Sequence, residues 1–301
     1  MASAARCARD TPVSAMKPAA KPVATTVDRA RIEQLVRQAV AARGGELAAL
    51  PEGQPILLSP DRGVNLGTAF DPAVSKAMLA STPARIGVGR TGPRYRTNTL
   101  LRFRADHAAA KDAVLSEVDE QLLARLRFVE LATNAKDKKV FLERPDAGRA
   151  LSEQGKQALL EKCARAPQLQ ICYGDGLSAA AVNAHLEAFH GAFTQALAKR
   201  GIKPGTPVFV RRSRVKVMDE VAQLLDAEAC VFVCGERPGL GFSDSMSAYY
   251  IYRPKSGATD ADREVISNIN PRGLDPVKAA DALADACARI LRDKKSGVAF
   301  G

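Results

Sequence analysis

Residues 229–254 read ACVFVCGERPGLGFSDSMSAYYIYRP, and this stretch decides the fold. It begins with an apolar, β-branched run, breaks into a Gly- and Pro-rich loop that carries Glu236 and Arg237, and returns to an aromatic run. A buried strand followed by a polar loop is typical of an open α/β sheet, whose ligands bind at the carboxyl edge of the strands. The stretch therefore predicts a site for a sizeable organic cofactor or a nucleotide.

The chain around this stretch repeats a strand–loop–helix unit. Short apolar runs predict strands, and segments with helical apolar periodicity follow the first two of them. Strands that alternate with helices favour parallel pairing through right-handed crossovers. We therefore predict an α/β fold with a Rossmann-like, mostly parallel sheet and flanking helices over residues 166–301. The predicted strands are 169–173, 207–212, 229–234 and 248–252, and the predicted helices are 177–200, 217–225 and a last one from Asp275-Pro276 to about Lys294.

The first 165 residues predict two further parts. Residues 1–45 combine a disordered tail, rich in Ala, Pro and Lys, with an amphipathic helix over residues 28–43 that two glycines end. Residues 46–165 predict a connector followed by a smaller helical subdomain. Its predicted elements are a helix through Leu115, a strand at residues 139–142 and a helix at residues 152–165.

Composition limits the class of protein. No run of about 18 apolar residues occurs and the N-terminus lacks the apolar core of a secretory signal, which predicts a cytoplasmic protein without a membrane partner. Most of the six cysteines lie in apolar runs or a helix, so we interpret the cysteines as core residues and predict no metal site. The three histidines show no ligand spacing and are expected on helix surfaces.

The net charge of +11 raises the alternative of a basic nucleic-acid-binding protein. Arginines cluster at residues 89–96 and again at residues 211–214. However, aromatic residues make up only 5% of the chain, and no nucleic-acid-binding motif accompanies the arginines. The charge therefore favours a solvated basic surface, or one that faces an acidic partner or a ligand phosphate.

A second alternative is an NADP-type Rossmann oxidoreductase. The pattern Gly174-x-Gly176-x-x-Ala179 follows a predicted strand and opens a predicted helix, which is the context of a dinucleotide fingerprint. NAD binding needs an acidic residue at the end of the next strand, but that strand ends in Arg211-Arg212. The arginines disfavour NAD and leave NADP open.

A resemblance to a known family covers residues 80–297. The chain resembles the small subunit of adenosylcobalamin-dependent ethanolamine ammonia-lyase in ordered blocks along its length. The most specific blocks lie near the C-terminus: Gly235-Glu236-Arg237-Pro238-Gly239-Leu240-Gly241, Ala261-Asp262-Arg263 and Ile266-Ser267-Asn268-Ile269. Upstream blocks include Gly89–Arg94, Leu100–His107, Arg144–Arg149, Asp175–Ser178 and Arg214–Lys216.

The resemblance implies a function that this chain shares with a partner. In that family a radical generated from adenosylcobalamin converts ethanolamine to acetaldehyde and ammonia. The substrate pocket belongs to the large subunit, and the small subunit covers the cobalamin from the other side. The resemblance therefore implies no catalytic residues here and a hetero-oligomer of several large and small subunit pairs.

Three cofactor-binding positions carry over from the family: Val215, Glu236 and Val265. A backbone group of Val215 is expected to approach the corrin amides or nucleotide loop, and Glu236 offers two acceptor oxygens. Val265 matches a position that often holds cysteine, so a backbone contact is retained without the thiol. Arg214 and Lys216 are further candidates to face the cobalamin phosphate.

Two features of the sequence have alternative interpretations. Glu236 could instead form an ion pair with Arg237 and brace the turn that follows. Residues 32–43 are similar to the start of some family members, where tethered helices serve encapsulation. The expected location is therefore the cytoplasm, with a bacterial microcompartment lumen as the alternative.

Overall fold

A six-stranded sheet forms the centre of the computed structural model, which describes residues 71–82 and 84–300 together with the single residue Gln38. The sheet order is β3-β5-β4-β6-β7-β8, and a separate hairpin consists of β1 and β2. The first four strands in this order pair in parallel, whereas β7 pairs antiparallel with both β6 and β8. The strands are β1 (Arg90–Thr91), β2 (Arg94–Tyr95), β3 (Val129–Ala132), β4 (Leu169–Gly174), β5 (Val208–Arg211), β6 (Ala229–Gly235), β7 (Met246–Tyr252) and β8 (Glu264–Ile269).

Eight α-helices occur within the described residues 71–82 and 84–300, and those around the sheet cover both of its faces. They are α1 (Pro72–Ser81), α2 (Thr97–Leu115), α3 (Glu120–Leu126), α4 (Lys138–Glu143), α5 (Glu153–Lys162), α6 (Ala179–Lys199), α7 (Val217–Leu225) and α8 (Pro276–Asp293). Successive side chains of a strand point to opposite faces. In β6, Val231 packs with α6 and α8, whereas its neighbour Phe232 belongs to the core beneath α5 and α7. Two apolar cores therefore enclose the sheet.

The predicted elements of the C-terminal half are confirmed, with small shifts at their ends. The sheet is mixed α/β and mostly parallel, as expected. The sequence prediction did not include β8. Its burial alternates between partly buried and exposed residues over most of its length, because it is an edge strand with one solvent-facing side. β7 follows β6 through a loop without a helix, which explains why the two pair antiparallel.

The prediction of a strand at residues 139–142 is wrong. These residues lie in α4, which begins after Asp137, whose carboxylate accepts a hydrogen bond of 2.8 Å from the Val140 amide. An N-cap of this kind satisfies an otherwise unpaired amide and favours a helix. A short apolar run cannot by itself distinguish a strand from a helix turn. The strand of this region is β3, which pairs with β5 and so adds residues 129–132 to the sheet.

The cysteines and one of the histidines match their expected environments. Five cysteines are buried and free, which confirms their interpretation as core residues, while Cys7 lies outside the described residues. His107 is exposed, as expected. His185 is only 8% exposed, and His190 Nδ1 hydrogen-bonds the buried Tyr173 hydroxyl at 2.8 Å, so the expected surface position is wrong for both.

The described residues 71–82 and 84–300 belong to one compact unit. The predicted tail and amphipathic helix of residues 1–45 lie outside the described residues, apart from Gln38, as does most of the predicted connector. Within the described part of the chain, no helix combines the length and apolar composition needed to cross a membrane.

Candidate functional site

The carboxyl ends of the parallel strands lie at one edge of the sheet. β4 ends at Gly174 and leads to α6 on one face, whereas β5 ends at Arg211 and leads to α7 on the opposite face. The connections therefore diverge between β4 and β5, which makes this point a topological switch. Ligands of α/β sheets bind in the crevice at such a point.

A side chain of the protein itself closes this crevice. Asp175 directly follows β4 and is only 2% exposed. Its two carboxylate oxygens accept hydrogen bonds from the Arg212 amide at 2.8 Å and the Ser213 amide at 3.0 Å. Burial raises the pKa of Asp175, and the two amide bonds oppose that shift. The carboxylate therefore occupies the space that a dinucleotide would need between β4 and β5.

The glycines of the fingerprint-like pattern serve close backbone packing. Gly176 has a φ of 56°, and a Cβ there would lie 2.3 Å from the Gly235 carbonyl oxygen. A Cβ at Gly235 would lie 2.0 Å from the Ser178 carbonyl oxygen. The loop after β4 thus packs directly against the end of β6, which leaves no space for a pyrophosphate between them.

The two arginines that left NADP open bind protein groups. Arg211 forms ion pairs with Glu120 at 2.7 Å and with Glu130 at 2.5 Å. The Arg212 Nε donates a 2.7 Å hydrogen bond to the Ala135 carbonyl. Both guanidinium groups are therefore committed to neighbouring elements, and the structure gives the NADP alternative no support.

Glu236 connects the last three strands of the sheet. Its amide donates a 2.8 Å hydrogen bond to the Ser245 carbonyl. Its Oε1 accepts hydrogen bonds from the Ser247 hydroxyl and, at 3.1 Å, from the Asn268 amide. Among the described residues, Oε2 accepts no hydrogen bond and no ion pair joins Glu236 to Arg237. The half-buried carboxylate is thus held in place by one oxygen, while the other has no donor among the described residues.

Val265 lies on an exposed part of the sheet. It pairs with Tyr249 in the register of β7 and β8, and its side chain is 49% exposed. Ser267, two residues further along β8, shares its face and is also exposed. Tyr249 is half-buried against the core beneath α5 and α7. An apolar side chain, a phenol and a hydroxyl therefore line the accessible face of this edge.

Val215 lies on the same side of the sheet as Val265. It occupies the turn between β5 and α7, where its half-buried side chain packs against the core that Tyr249 also contacts. The Val215 carbonyl accepts a 3.1 Å hydrogen bond from the Met218 amide. Its own N–H has no hydrogen-bond partner in the described part of the chain. The structure thus brings Val215, Glu236 and Val265 to one side of the sheet, with Val215 and Glu236 at its carboxyl edge and Val265 near the start of the edge strand β8.

Arg214 directly precedes Val215, and contacts with α4 hold its side chain in place. Its guanidinium carbon lies 4.3 Å from the centre of the Phe141 ring, and Nη2 donates a 2.9 Å hydrogen bond to the Phe141 carbonyl. Burial lowers the pKa of Arg214, and the positive charges of Arg149 and Arg237 lower it further. Lys216 is exposed at the start of α7.

The loop between β6 and β7 is anchored by several contacts. The Ser178 hydroxyl donates a 2.6 Å hydrogen bond to the Ser243 carbonyl. Asp244 lies 3.7 Å from His185 Nε2 and 3.8 Å from Arg272 Nη2. The loop therefore presents Glu236 and Arg237 from a braced turn.

The sequence analysis missed three residues that shape this edge. Asp175, Ser247 and Asn268 either close the crevice or position Glu236, and each lies in a quoted motif or predicted strand. Two of them carry a signal in the sequence. Asp175 is an acid between two glycines directly after a predicted strand, and Ser247 lies two residues before Tyr249, on the same alternating face of the aromatic run. Asn268 has a left-handed φ of 57°, for which asparagine is among the better-suited residues. In the described ranges, no three His, Cys, Asp or Glu side chains cluster as metal ligands would.

Comparison with known proteins assigns the chain to a family. A family model described as "Ethanolamine ammonia-lyase light chain (EutC)" matches residues 73–300. The chain is also 44% identical over 221 residues to the ethanolamine ammonia-lyase small subunit of Clostridium acetobutylicum. That alignment covers 73% of this chain and 91% of the relative. The matched region includes every strand and helix of the sheet edge described above.

Proposed function

Since this chain belongs to the ethanolamine ammonia-lyase light chain family, we propose that it binds one side of adenosylcobalamin at an interface with a large catalytic subunit. It is a lyase subunit, and the small-subunit designation implies the large partner. When bound, adenosylcobalamin supplies the radical chemistry that converts ethanolamine to acetaldehyde and ammonia. We further propose an assembly of several large and small subunit pairs in the cytoplasm, with a microcompartment lumen as the alternative location.

The observation that carries this proposal is Glu236 Oε2, which accepts no hydrogen bond from the described residues although the carboxylate itself is braced. Cobalamin is a broad, flat macrocycle whose rim bears amide side chains and a nucleotide loop. Such a ligand needs an accessible face with a few fixed polar groups rather than a narrow crevice. Asp175 closes the crevice, while the edge formed by Glu236 and Val265 is accessible. The residues present therefore fit this cofactor better than a dinucleotide.

Each of the three residues has a distinct task in this proposal. Glu236 accepts a hydrogen bond at Oε2 from an amide or a hydroxyl of the cofactor, and its bonds from Ser247 and Asn268 keep it oriented. The unpaired N–H of Val215 donates to a carbonyl oxygen of an amide side chain. Val265 supplies apolar contact and excludes water, because its side chain is half exposed before binding. None of the three acts on the substrate.

Glu236→Ala is expected to weaken cobalamin binding by about 1–3 kcal/mol, which is the cost of losing a hydrogen bond to a charged group. Glu236→Gln separates the two uses of this side chain. The amide oxygen can keep the bonds from Ser247 and Asn268, whereas the amide nitrogen replaces Oε2 with a donor. We therefore expect Glu236→Gln to weaken binding as well, with less change in thermal stability. The measurement is a spectroscopic titration of hydroxocobalamin into the purified pair of subunits.

Glu264→Gln is the matched control. Glu264 lies on the same sheet, but it bonds Tyr250 and Arg289 on the opposite face. Its substitution should leave cobalamin affinity unchanged. An identical titration curve for Glu236→Ala and the unmodified pair would remove Glu236 from the site. Absence of cobalamin binding by the unmodified pair would reject the proposed function.

A further inference from the structure

Three arginines, Arg149, Arg214 and Arg237, lie on neighbouring segments at the carboxyl edge of the sheet. The turn Ala147–Arg149 lies on the loop after β5, because the Arg214 amide donates a 2.7 Å hydrogen bond to the Gly148 carbonyl. A Cβ at Gly148 would lie 3.0 Å from Arg214 Cγ, which shows how closely the two segments pack. Arg237 follows the end of β6, and only β4 separates β5 from β6. Two strand spacings are about 10 Å, a gap that arginine side chains from both sides can close.

No carboxylate of the described residues lies within ion-pair distance of these three arginines. The charge of Asp175 raises the pKa of Arg214, but two backbone amides already bind the Asp175 oxygens. Several other arginines of the described residues do form ion pairs, as Arg211 does with Glu120. Arg149 and Arg237 are exposed, so their guanidinium groups are accessible from solvent.

The positive charges of Arg149 and Arg237 act on Arg214. Its guanidinium is half-buried against Phe141, and its pKa is lowered by burial first and by Arg149 and Arg237 next. An anion placed among the three groups would relieve this repulsion and accept charge-assisted hydrogen bonds. A planar guanidinium suits phosphate oxygens in particular, since it can donate two parallel hydrogen bonds. The cluster thus suits an anion that the described residues do not provide.

We propose that Arg149, Arg214 and Arg237 form an anion site that binds the phosphodiester of the cobalamin nucleotide loop. This inference rests on the proposed function and names the part of the cofactor that this corner of the site reads. The phosphodiester is the anionic group of the cobalamin side chains, whereas the rim amides are neutral. Arg149 and Arg237 supply the accessible donors, and Arg214 forms the fixed base of the site.

Corrinoids that differ at the phosphate test the proposal directly. Cobalamin carries the phosphodiester, cobinamide phosphate keeps a phosphate without ribose and base, and cobinamide lacks all three. Each probe is titrated into the purified complex of this chain with its large subunit. Three versions of the complex are compared: the unmodified pair, the pair with Arg149→Gln and the pair with Arg237→Gln. Each substitution should weaken the binding of cobalamin and of cobinamide phosphate about tenfold, as expected for a lost charged hydrogen bond. The binding of cobinamide should weaken by less than about twofold. Inorganic phosphate should compete with cobalamin but not with cobinamide.

Arg125→Gln is the matched control, because Arg125 is exposed and already paired with Glu187 at 3.1 Å. It should change none of the three affinities. The phosphate assignment would be overturned if the arginine variants lost affinity equally for all three corrinoids, or lost affinity for none of them. The cofactor assignment would stand in either case. Dissociation of the subunits by these variants in size-exclusion chromatography would also overturn the phosphate assignment, since an acidic group of the large subunit would then be the anion. A pair that binds no corrinoid at all would overturn both proposals.

Discussion

The isolated chain is expected to release no measurable acetaldehyde from ethanolamine, whereas the chain combined with its large subunit and adenosylcobalamin should turn over at rates typical of enzymes, about 1–1,000 per second. The physical reason is the chemistry of the site. Val215 and Val265 carry no ionisable group, and Glu236 is committed through one oxygen to Ser247 and Asn268. A single carboxylate acceptor can orient a cofactor, but it cannot remove hydrogen from an unactivated carbon or expel ammonia. The remaining groups must come from the cofactor and the partner.

The measurement is acetaldehyde formation, followed with a coupled dehydrogenase. Four reactions are needed: the chain alone, the large subunit alone, the pair without cofactor and the pair with adenosylcobalamin. Only the last should be active. Robust activity of the isolated chain would contradict the assignment, because the chain would then have to contain a complete catalytic set.

Arg263→Leu should lower the free energy of unfolding by about 3–5 kcal/mol, the usual cost of removing one partner from a buried ion pair. Arg263 is only 6% exposed and directly precedes β8, while Asp219 lies in α7 and is 8% exposed. Arg263 Nη2 lies 3.1 Å from Asp219 Oδ2, and Nε donates a 3.2 Å hydrogen bond to the Thr259 carbonyl. Burial raises the pKa of Asp219 and Arg263 opposes that shift, so the variant leaves a buried carboxylate without its cation.

Urea denaturation of the purified chain measures this effect, and two further variants make it specific. Arg263→Leu combined with Asp219→Leu should recover much of the lost stability, because an apolar pair leaves no unpaired buried charge. Arg125→Leu removes an exposed ion pair with Glu187 and should change the free energy of unfolding by less than about 1 kcal/mol. A loss below about 1 kcal/mol for Arg263→Leu would show that the pair does not hold β8 against α7.

The elements that the sequence predicted well are those whose signal is local. β4, β6 and α8 show apolar runs or periodicity over their whole length, and Asp275-Pro276 marks the start of α8. β3 and β8 were missed since each is short or half exposed, and their strand conformation depends on pairing with β5 and β7. The sequence predicts a strand within the helix at residues 138–143, because the four residues 139–142 are too few to distinguish the period of a strand from that of a helix.

The candidate site also has a part that local sequence predicts and a part that only the fold brings together. Glu236 could be located from sequence, as it lies just past a buried strand in a Gly- and Pro-rich loop. The resemblance located Val215 and Val265, but nothing local showed that they share one side of the sheet. The closure of the crevice by Asp175 depends on the amides of Arg212 and Ser213, which lie about 40 residues away along the chain. The arginine cluster likewise joins three separate segments.

By itself the sequence determined the α/β class, the parallel core strands and the loop that carries Glu236, because apolar periodicity and turn residues act over a few neighbouring positions. The tertiary structure alone decided the antiparallel end of the sheet, the closed crevice and the placement of Arg149, Arg214 and Arg237 on neighbouring segments. These features arise from pairing between strands that are distant in sequence. Their stability depends on burial and on charge interactions in three dimensions. Neither can be predicted from a local pattern along the chain.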